Sequence, residues 1–257
     1  MTQTTLSGKV ALVTGGGRGI GRAVALALGR AGAAVAITAR TRAQLDAVAT
    51  ELKDAGAAGT VICEMDVADS RALAAGIDRI RAALPRIDIL VNNAGIAESA
   101  SVARTDPALW EHHLAVNATA PFLLSRALLP GMLERRWGRI INMASMAGLG
   151  GAPYIAAYAA SKHALVGLTR ALAAETMGTG VTVNAICPGY VATDMVWSGA
   201  RRISEKTGKP FEAAVQAMAD FNPSGKLIDP DDVAAAVLEL AGEGAAGRTG
   251  ETLVLGG

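Results

Sequence analysis

The sequence predicts an α/β fold: one parallel sheet of about seven strands, doubly wound, with helices on both faces. Three observations predict it. Short apolar runs rich in β-branched residues alternate with longer stretches whose apolar residues recur at helical spacing. Those stretches are long enough for the crossovers that parallel strands need. The glycines, amides and hydroxyls that carry chemistry follow the ends of the apolar runs, the edge at which open sheets of this kind bind ligands.

The elements follow in order. Residues 9–14 form the first strand, closed by Gly15-Gly16-Gly17-Arg18-Gly19-Ile20-Gly21, with a helix over 20–30. A strand at 34–39 and a helix at 42–55 lead to a third strand at 60–65, which ends in Asp66-Val67. A helix over 70–84, with Asp69 as its cap, precedes a strand at 87–91 and Asn92-Asn93-Ala94-Gly95. A long helix over 107–132 carries Asn117 in an apolar run. A buried amide needs partners, so Asn117 either holds a water or satisfies a distortion of the helix before Pro121. Trp110, His112 and His113 read as ordinary side chains of that helix.

A buried strand at 139–143 leads to Ser145, a glycine-rich turn and a helix over 155–177. This helix is apolar nearly all round, so part of it packs against another subunit. The sixth strand, 180–187, ends in Pro188-Gly189-Tyr190-Val191-Ala192-Thr193. Residues 194–225 then break the alternation with Met195, Trp197, Phe211, Met218 and Phe221, and read as a substrate lid. A helix at 231–241 and a strand at 252–255 close the sheet. With no linker and no repeat in view, the expectation is a single domain over 1–257 with a lid insert at about 190–225.

Composition excludes several classes. Apolar residues make up 51 %, ample for one core, and a formal charge of +1 gives no electrostatic reason for nucleic acid or an anionic membrane as partner. The N-terminal stretch 1–8 is polar and the first apolar run, 10–13, is too short for a signal peptide or a membrane span. Cys63 and Cys187 stand far apart in apolar runs and read as buried free thiols of a cytoplasmic protein. His112, His113 and His163 have no ligand-like spacing to them, so no metal site is expected.

The reaction centre is read from one helix. Tyr158 and Lys162 are four apart and share a face, which sets a phenol beside an ammonium. Free tyrosine titrates near ~10; bringing it to about 7 needs about 4 kcal/mol, more than one exposed lysine supplies, but within reach of a lysine plus a cationic nicotinamide in a dry pocket. The glycine turn, between a strand and a helix N-terminus, is the context for a pyrophosphate. No acid closes the second strand to bind a ribose 2′-OH. Thr38-Ala39-Arg40-Thr41-Arg42 stands there, with Arg18 in the glycine turn facing the same place, so NADP(H) is preferred over NAD. Asp66 accepts from an adenine amino group or caps the next helix. The small residues after the fourth strand let a dinucleotide lie across it, and their amides can tie strand ends together.

Together these motifs resemble the short-chain dehydrogenases/reductases, from Lys9 to Gly257. Thr-Gly-x-x-x-Gly-x-Gly stands at 14–21 and Asn-Asn-Ala-Gly at 92–95, followed by the helix Asn117. Ser145 comes thirteen residues before Tyr158, then Lys162 and Pro188-Gly189, all in family order. The resemblance implies a Rossmann-type domain, usually a homotetramer, moving a hydride between a nicotinamide and a carbonyl or alcohol. It implies Tyr158 as general acid and Ser145 as the second donor to the substrate oxygen. It further implies Lys162 lowering the Tyr158 pKa and bonding the nicotinamide ribose, and Asn117 holding a water between Lys162 and solvent. The cofactor contacts expected are Gly15, Gly17, Arg18, Gly19, Ile20, Arg40, Asp66, Val67, Asn93, Tyr158 and Lys162, with Val191 and Thr193 at the carboxamide. Ser145, Tyr158, Tyr190, Met195 and Trp197 are expected to meet the substrate.

The body of the chain is similar to 3-oxoacyl thioester and polyketide-type ketoreductases. Arg135 and Arg136 are candidates to meet an acidic carrier or CoA phosphates. Against a carrier stands Ala173-Ala174-Glu175, where carrier-dependent relatives tend to hold a basic residue. A free aryl, alicyclic or steroid-like ketone is the alternative substrate, and an NADP-binding regulator without turnover the alternative class.

Overall fold

Strand pairing follows the sequence period. In the computed structural model, β1 (Val10–Thr14), β2 (Ala34–Ala39), β3 (Gly59–Glu64), β4 (Ile89–Asn92), β5 (Gly138–Met143), β6 (Val181–Pro188) and β7 (Thr252–Leu255) form one sheet. All its pairings are parallel, and the order is β3-β2-β1-β4-β5-β6-β7. The structure describes residues 5–84 and 86–256; the start of the polar N-terminal stretch, 1–4, and residues 85 and 257 lie outside it.

Alternation along each strand sorts the helices onto two faces. Ala11 and Val13 of β1 point to one core with α1 (Gly19–Arg30), α2 (Arg42–Asp54) and α9 (Pro230–Ala241), through residues such as Val24, Leu45 and Val237. Leu12 points to the other, with α3 (Ser70–Ala83), α5 (Ala120–Glu134) and α6 (Ala156–Glu175), through Ile77, Leu124 and Leu172. β4, β5 and β6 are buried along their whole length, which explains their unbroken apolar runs. Because β1 lies between β2 and β4, successive connections run outward in opposite directions from the β1/β4 pair. The crevice at the carboxyl ends of those two strands is the switch point.

The helix expected over 107–132 differs. It runs as α4 (Pro107–Leu114), a π-turn at Ala115–Thr119, and then α5, which extends to Glu134. In an α-helix the N–H of residue 121 would serve the Asn117 carbonyl, and Pro121 has no N–H to give, so the ladder is reset by one residue. Of the two readings of Asn117, the distortion before Pro121 is present. Residues 194–225 hold two helices, α7 (Asp194–Thr207) and α8 (Phe211–Ala219).

Arg135 and Arg136 have partners within the chain. Both precede β5 and so sit at the amino edge of the sheet, away from the switch point. Arg135 donates to the Ile87 carbonyl at 2.9 Å and pairs with Asp88, while Arg136 reaches the Gly178 carbonyl. They staple strand entries on the edge opposite to the site. The outer side of α6 carries Ala164, Gly167, Ala171 and Ala174 exposed, so the helix is buried on one side only.

Candidate active site

The glycine turn owes its shape to close packing. Gly15 and Gly19 take positive φ (65° and 52°), a region that bulky side chains rarely enter. A Cβ on Gly21 would stand 2.2 Å from the Gly15 carbonyl oxygen and 2.5 Å from the Asn93 amide, so turn, helix and β4 end meet with no space to spare. α1 opens with no side-chain cap and no acid in its first turn. Its leading N–H groups and their partial positive charge are therefore left to a ligand, and an anionic pyrophosphate fits that donor set.

Amides lock the strand ends beside it. Thr14 Oγ1 accepts from the N–H groups of Asn93 and Ala94, both at 3.0 Å, and the Asn93 amide donates back to the Thr14 carbonyl at 2.8 Å. Asn92 donates to Asn142 at 2.8 Å, and Asn142 to Thr169. Asp66 accepts from Ala68 N–H at 2.9 Å and closes its own turn, next to Val67, which is buried. Asp69 caps α3 as read.

Arg18 is placed differently from the sequence reading. It pairs with Asp194 at the start of α7, at 3.0 Å, and does not join Arg40. Arg40 is exposed and, among the described residues, makes no ion pair.

Ser145, Tyr158 and Lys162 do converge. Ser145 follows β5, in extended conformation, and its Oγ accepts from Ala147 N–H at 3.1 Å. A Cβ on Gly148 would meet the Lys162 carbonyl at 2.9 Å, so the serine turn packs directly on α6. Burial raises the Tyr158 pKa, and a hydrogen bond with Ser145 opposes that rise. The lysine spacing by itself therefore does not make the phenol acidic; the cationic nicotinamide of the expected arrangement is the remaining contribution. Lys162 Nζ donates to the Met143 carbonyl at 2.7 Å and stands 5.8 Å from the Tyr158 ring centroid. Buried at 4 % exposure, it is itself pushed down to about 8. Desolvation dominates because burial keeps water from the ammonium.

Asn117 is fully buried and its amide is spent. Nδ2 donates to the Ile96 carbonyl (3.0 Å) and Ser161 Oγ (2.9 Å), and Oδ1 accepts from Ile96 N–H (2.9 Å). One Oδ1 lone pair remains, so the side chain is first an anchor for the segment after β4 and only then a seat for water.

The Pro188–Thr193 loop closes the other wall. Val191 is buried and bridges Ile228, and Thr193 lies against Gly19, where an added Cβ would meet its Cγ2 at 3.3 Å. Asn222, unremarked in the sequence, holds both polar groups of the Tyr190 backbone, at 2.8 and 2.9 Å. Tyr190 packs on Phe221 with ring centroids 5.8 Å apart. Met195 is exposed, whereas Trp197 lines a cavity of about 310 Å³ with Gly19, Arg22, Thr193, Asp194 and Asp231. Neither Ser145 nor Tyr158 lines that cavity, so Trp197 is not brought together with them; helical spacing puts it one turn from Asp194, on the α1 side of the loop.

His113 is the residue the sequence hid. It is wholly buried and its ring meets Tyr158 edge-on, at 6.4 Å between centroids and 71° between planes. Its place four residues before Asn117 was the one available signal.

With this geometry in hand, comparison with known proteins is specific. A profile of the short chain dehydrogenase family matches residues 9–203. The chain is 40 % identical over 253 residues to a 3-oxoacyl-[acyl-carrier-protein] reductase FabG of Pseudomonas aeruginosa, covering 98 % of both chains. It is 39 % identical to an acetoacetyl-CoA reductase of Shinella zoogloeoides, covering 97 % of both. A crystal structure of a variant actinorhodin polyketide ketoreductase with NADPH is similar at a TM-score of 0.90 and 37 % identity, covering 96 % of this chain and 95 % of the other.

Proposed function

The chain belongs to the short-chain dehydrogenases/reductases, and from that premise we propose how its own residues carry the family's reaction. It is an NADP(H)-dependent oxidoreductase that interconverts a ketone and a secondary alcohol. The observation that carries the reading is the meeting of Ser145 and Tyr158 over a buried Lys162, at the carboxyl ends of β5 and β6, next to an uncapped α1.

When bound, NADPH supplies the hydride. The uncapped N–H groups of α1 hold its pyrophosphate and Arg40 meets the 2′-phosphate. Tyr158, protonated at neutral pH because burial holds its pKa up, gives its O–H proton to the substrate oxygen as a ketone is reduced. Ser145 Oγ donates to the same oxygen, where negative charge develops. Lys162 stays largely cationic at pH 7 with a pKa of about 8, bonds the nicotinamide ribose and stabilises the phenolate left on Tyr158. Asn117 holds the segment after β4, and its remaining lone pair seats the water on the return path of the proton.

A 3-oxoacyl thioester is the substrate proposed, supported by the reductases of 3-oxoacyl and acetoacetyl thioesters among the relatives. A free aryl or alicyclic ketone is the second reading. It is favoured by Arg135 and Arg136 lying on the opposite edge and by the exposed apolar groups Met146, Leu149 and Met195 on the segments that follow β5 and β6. Residues 190–225 serve as lid to a single domain over 1–257. The exposed small-residue face of α6, with Phe122 exposed on α5, supports a homotetramer, and a cytoplasmic location completes the proposal.

Tyr158→Phe tests the assignment. NADPH affinity, read by fluorescence titration, should hold, while ketone-dependent loss of NADPH absorbance falls at least about 100-fold. Near-normal turnover would reject Tyr158 as the proton donor.

A further inference from the structure

The segment after β4 is stitched down at every second residue. Ile96 is held through both its backbone groups by the Asn117 amide. Glu98 N–H donates to His113 Nε2 at 3.1 Å, and Ala100 N–H to the Tyr154 carbonyl at 2.9 Å. Residues 96, 98 and 100 thus present their polar groups to one side, as extended chain does. Two of the three anchors, His113 and Asn117, stand four apart on one helix, and the third lies four residues before Tyr158.

His113 is the middle stitch, and all of its polar capacity is committed. Nδ1 lies 2.8 Å from the Leu109 carbonyl, which requires the proton there, and Nε2 accepts from Glu98, which requires a bare nitrogen. These partners assign a neutral ring with Nδ1 protonated. That ring has no exposed surface and meets the Tyr158 ring edge-on. An aliphatic residue would fill the same space without accepting from Glu98, leaving that N–H without its protein partner.

We infer that His113 is a positioning residue for the hydride-transfer reaction, holding the Glu98 segment and the Tyr158 ring in one register so that the phenol keeps its aim. This rests on Tyr158 being the proton donor. Leu at 113 supplies bulk alone, Gln supplies an acceptor at the reach of Nε2, and Asn supplies a donor at the reach of Nδ1 only.

The experiment compares His113→Leu, His113→Gln and His113→Asn by hydrogen exchange at the Glu98 amide, NADPH titration and steady-state kinetics. In the Leu variant, Glu98 exchange should accelerate and kcat should fall, each at least about tenfold, with NADPH affinity and ketone KM within about threefold of wild type. The Gln variant should recover most of both losses and the Asn variant neither. Unchanged kcat in folded His113→Leu, or Glu98 exchange indifferent to the substitution, would overturn the inference. Should Leu fail to fold, the Gln-against-Asn contrast decides it. If the wild type reduces no ketone, the functional reading fails by itself, and Glu98 exchange still shows whether His113 is the clamp.

Discussion

Removing the charge of Lys162 has a calculable effect on the stability of the ligand-free protein. Its pKa falls from 10.5 to about 8 on folding, so keeping it charged costs about 3 kcal/mol, at 1.36 kcal/mol for each tenfold change. Below pH 8 both states carry the proton and the cost is constant. Between about 8 and 10.5 the unfolded chain holds the proton and the folded one has lost it, so stability rises with pH. Burial also raises Cys187, Tyr158 and Tyr190, which leaves the folded state holding more protons at higher pH; the thiol offsets the rise from about 9 and the tyrosines turn the slope downward above about 10. The clean window is therefore about pH 7.5 to 9, where Lys162 contributes a gain of about 1 kcal/mol. Urea unfolding across that window, for wild type and Lys162→Met, is the assay. Methionine keeps the buried stem without the charge. It abolishes the rise and removes the cost, while the stranded Met143 carbonyl returns about 1–3 kcal/mol of penalty. At pH 7 the variant should be as stable as wild type or up to about 2 kcal/mol more so, though inactive. A wild-type-minus-variant difference that stays flat from pH 7.5 to 9 would refute a depressed, buried Lys162.

Three further outcomes test other parts of the site. Arg40→Asp removes a cation and adds an anion where the 2′-phosphate is proposed to lie, so the NADPH:NADH ratio of kcat/KM should drop at least about tenfold; an unchanged ratio counts against that contact. Gly21→Ala forces a methyl to within 2.2 Å of the Gly15 carbonyl oxygen and should cost at least about 2 kcal/mol in urea unfolding and weaken NADPH binding; wild-type behaviour in both would show that the turn can relax. Tyr154 takes φ 69° with its ring largely exposed, so Tyr154→Gly should raise stability by about 0.5–1 kcal/mol in thermal unfolding, whereas Tyr154→Ala keeps the strain and gains nothing.

Several of these positions were plain from the order of residues alone. The seven strands announced themselves as apolar runs, Tyr158 and Lys162 as neighbours on a helix face, and the glycine turn as a strand-to-helix junction, because each depends on periodicity or on contacts between near residues. The same holds for Asp69, which caps its own helix, and for Pro121, whose missing N–H distorts the helix around Asn117. What tertiary structure decided is who meets whom across long stretches of chain. Arg18 finds Asp194 rather than Arg40; Arg135 and Arg136 land on the far edge; Lys162 turns to the Met143 carbonyl. The phenol rises in pKa because burial outweighs its hydrogen bond with Ser145, while the ammonium four residues on stands 5.8 Å from its ring centroid. His113 looked like any helical side chain until folding closed the chain after β4 over it. Periodicity is a property of the local backbone and can be read along the chain, but desolvation and hydrogen-bond partners depend on segments that only the folded sheet brings together.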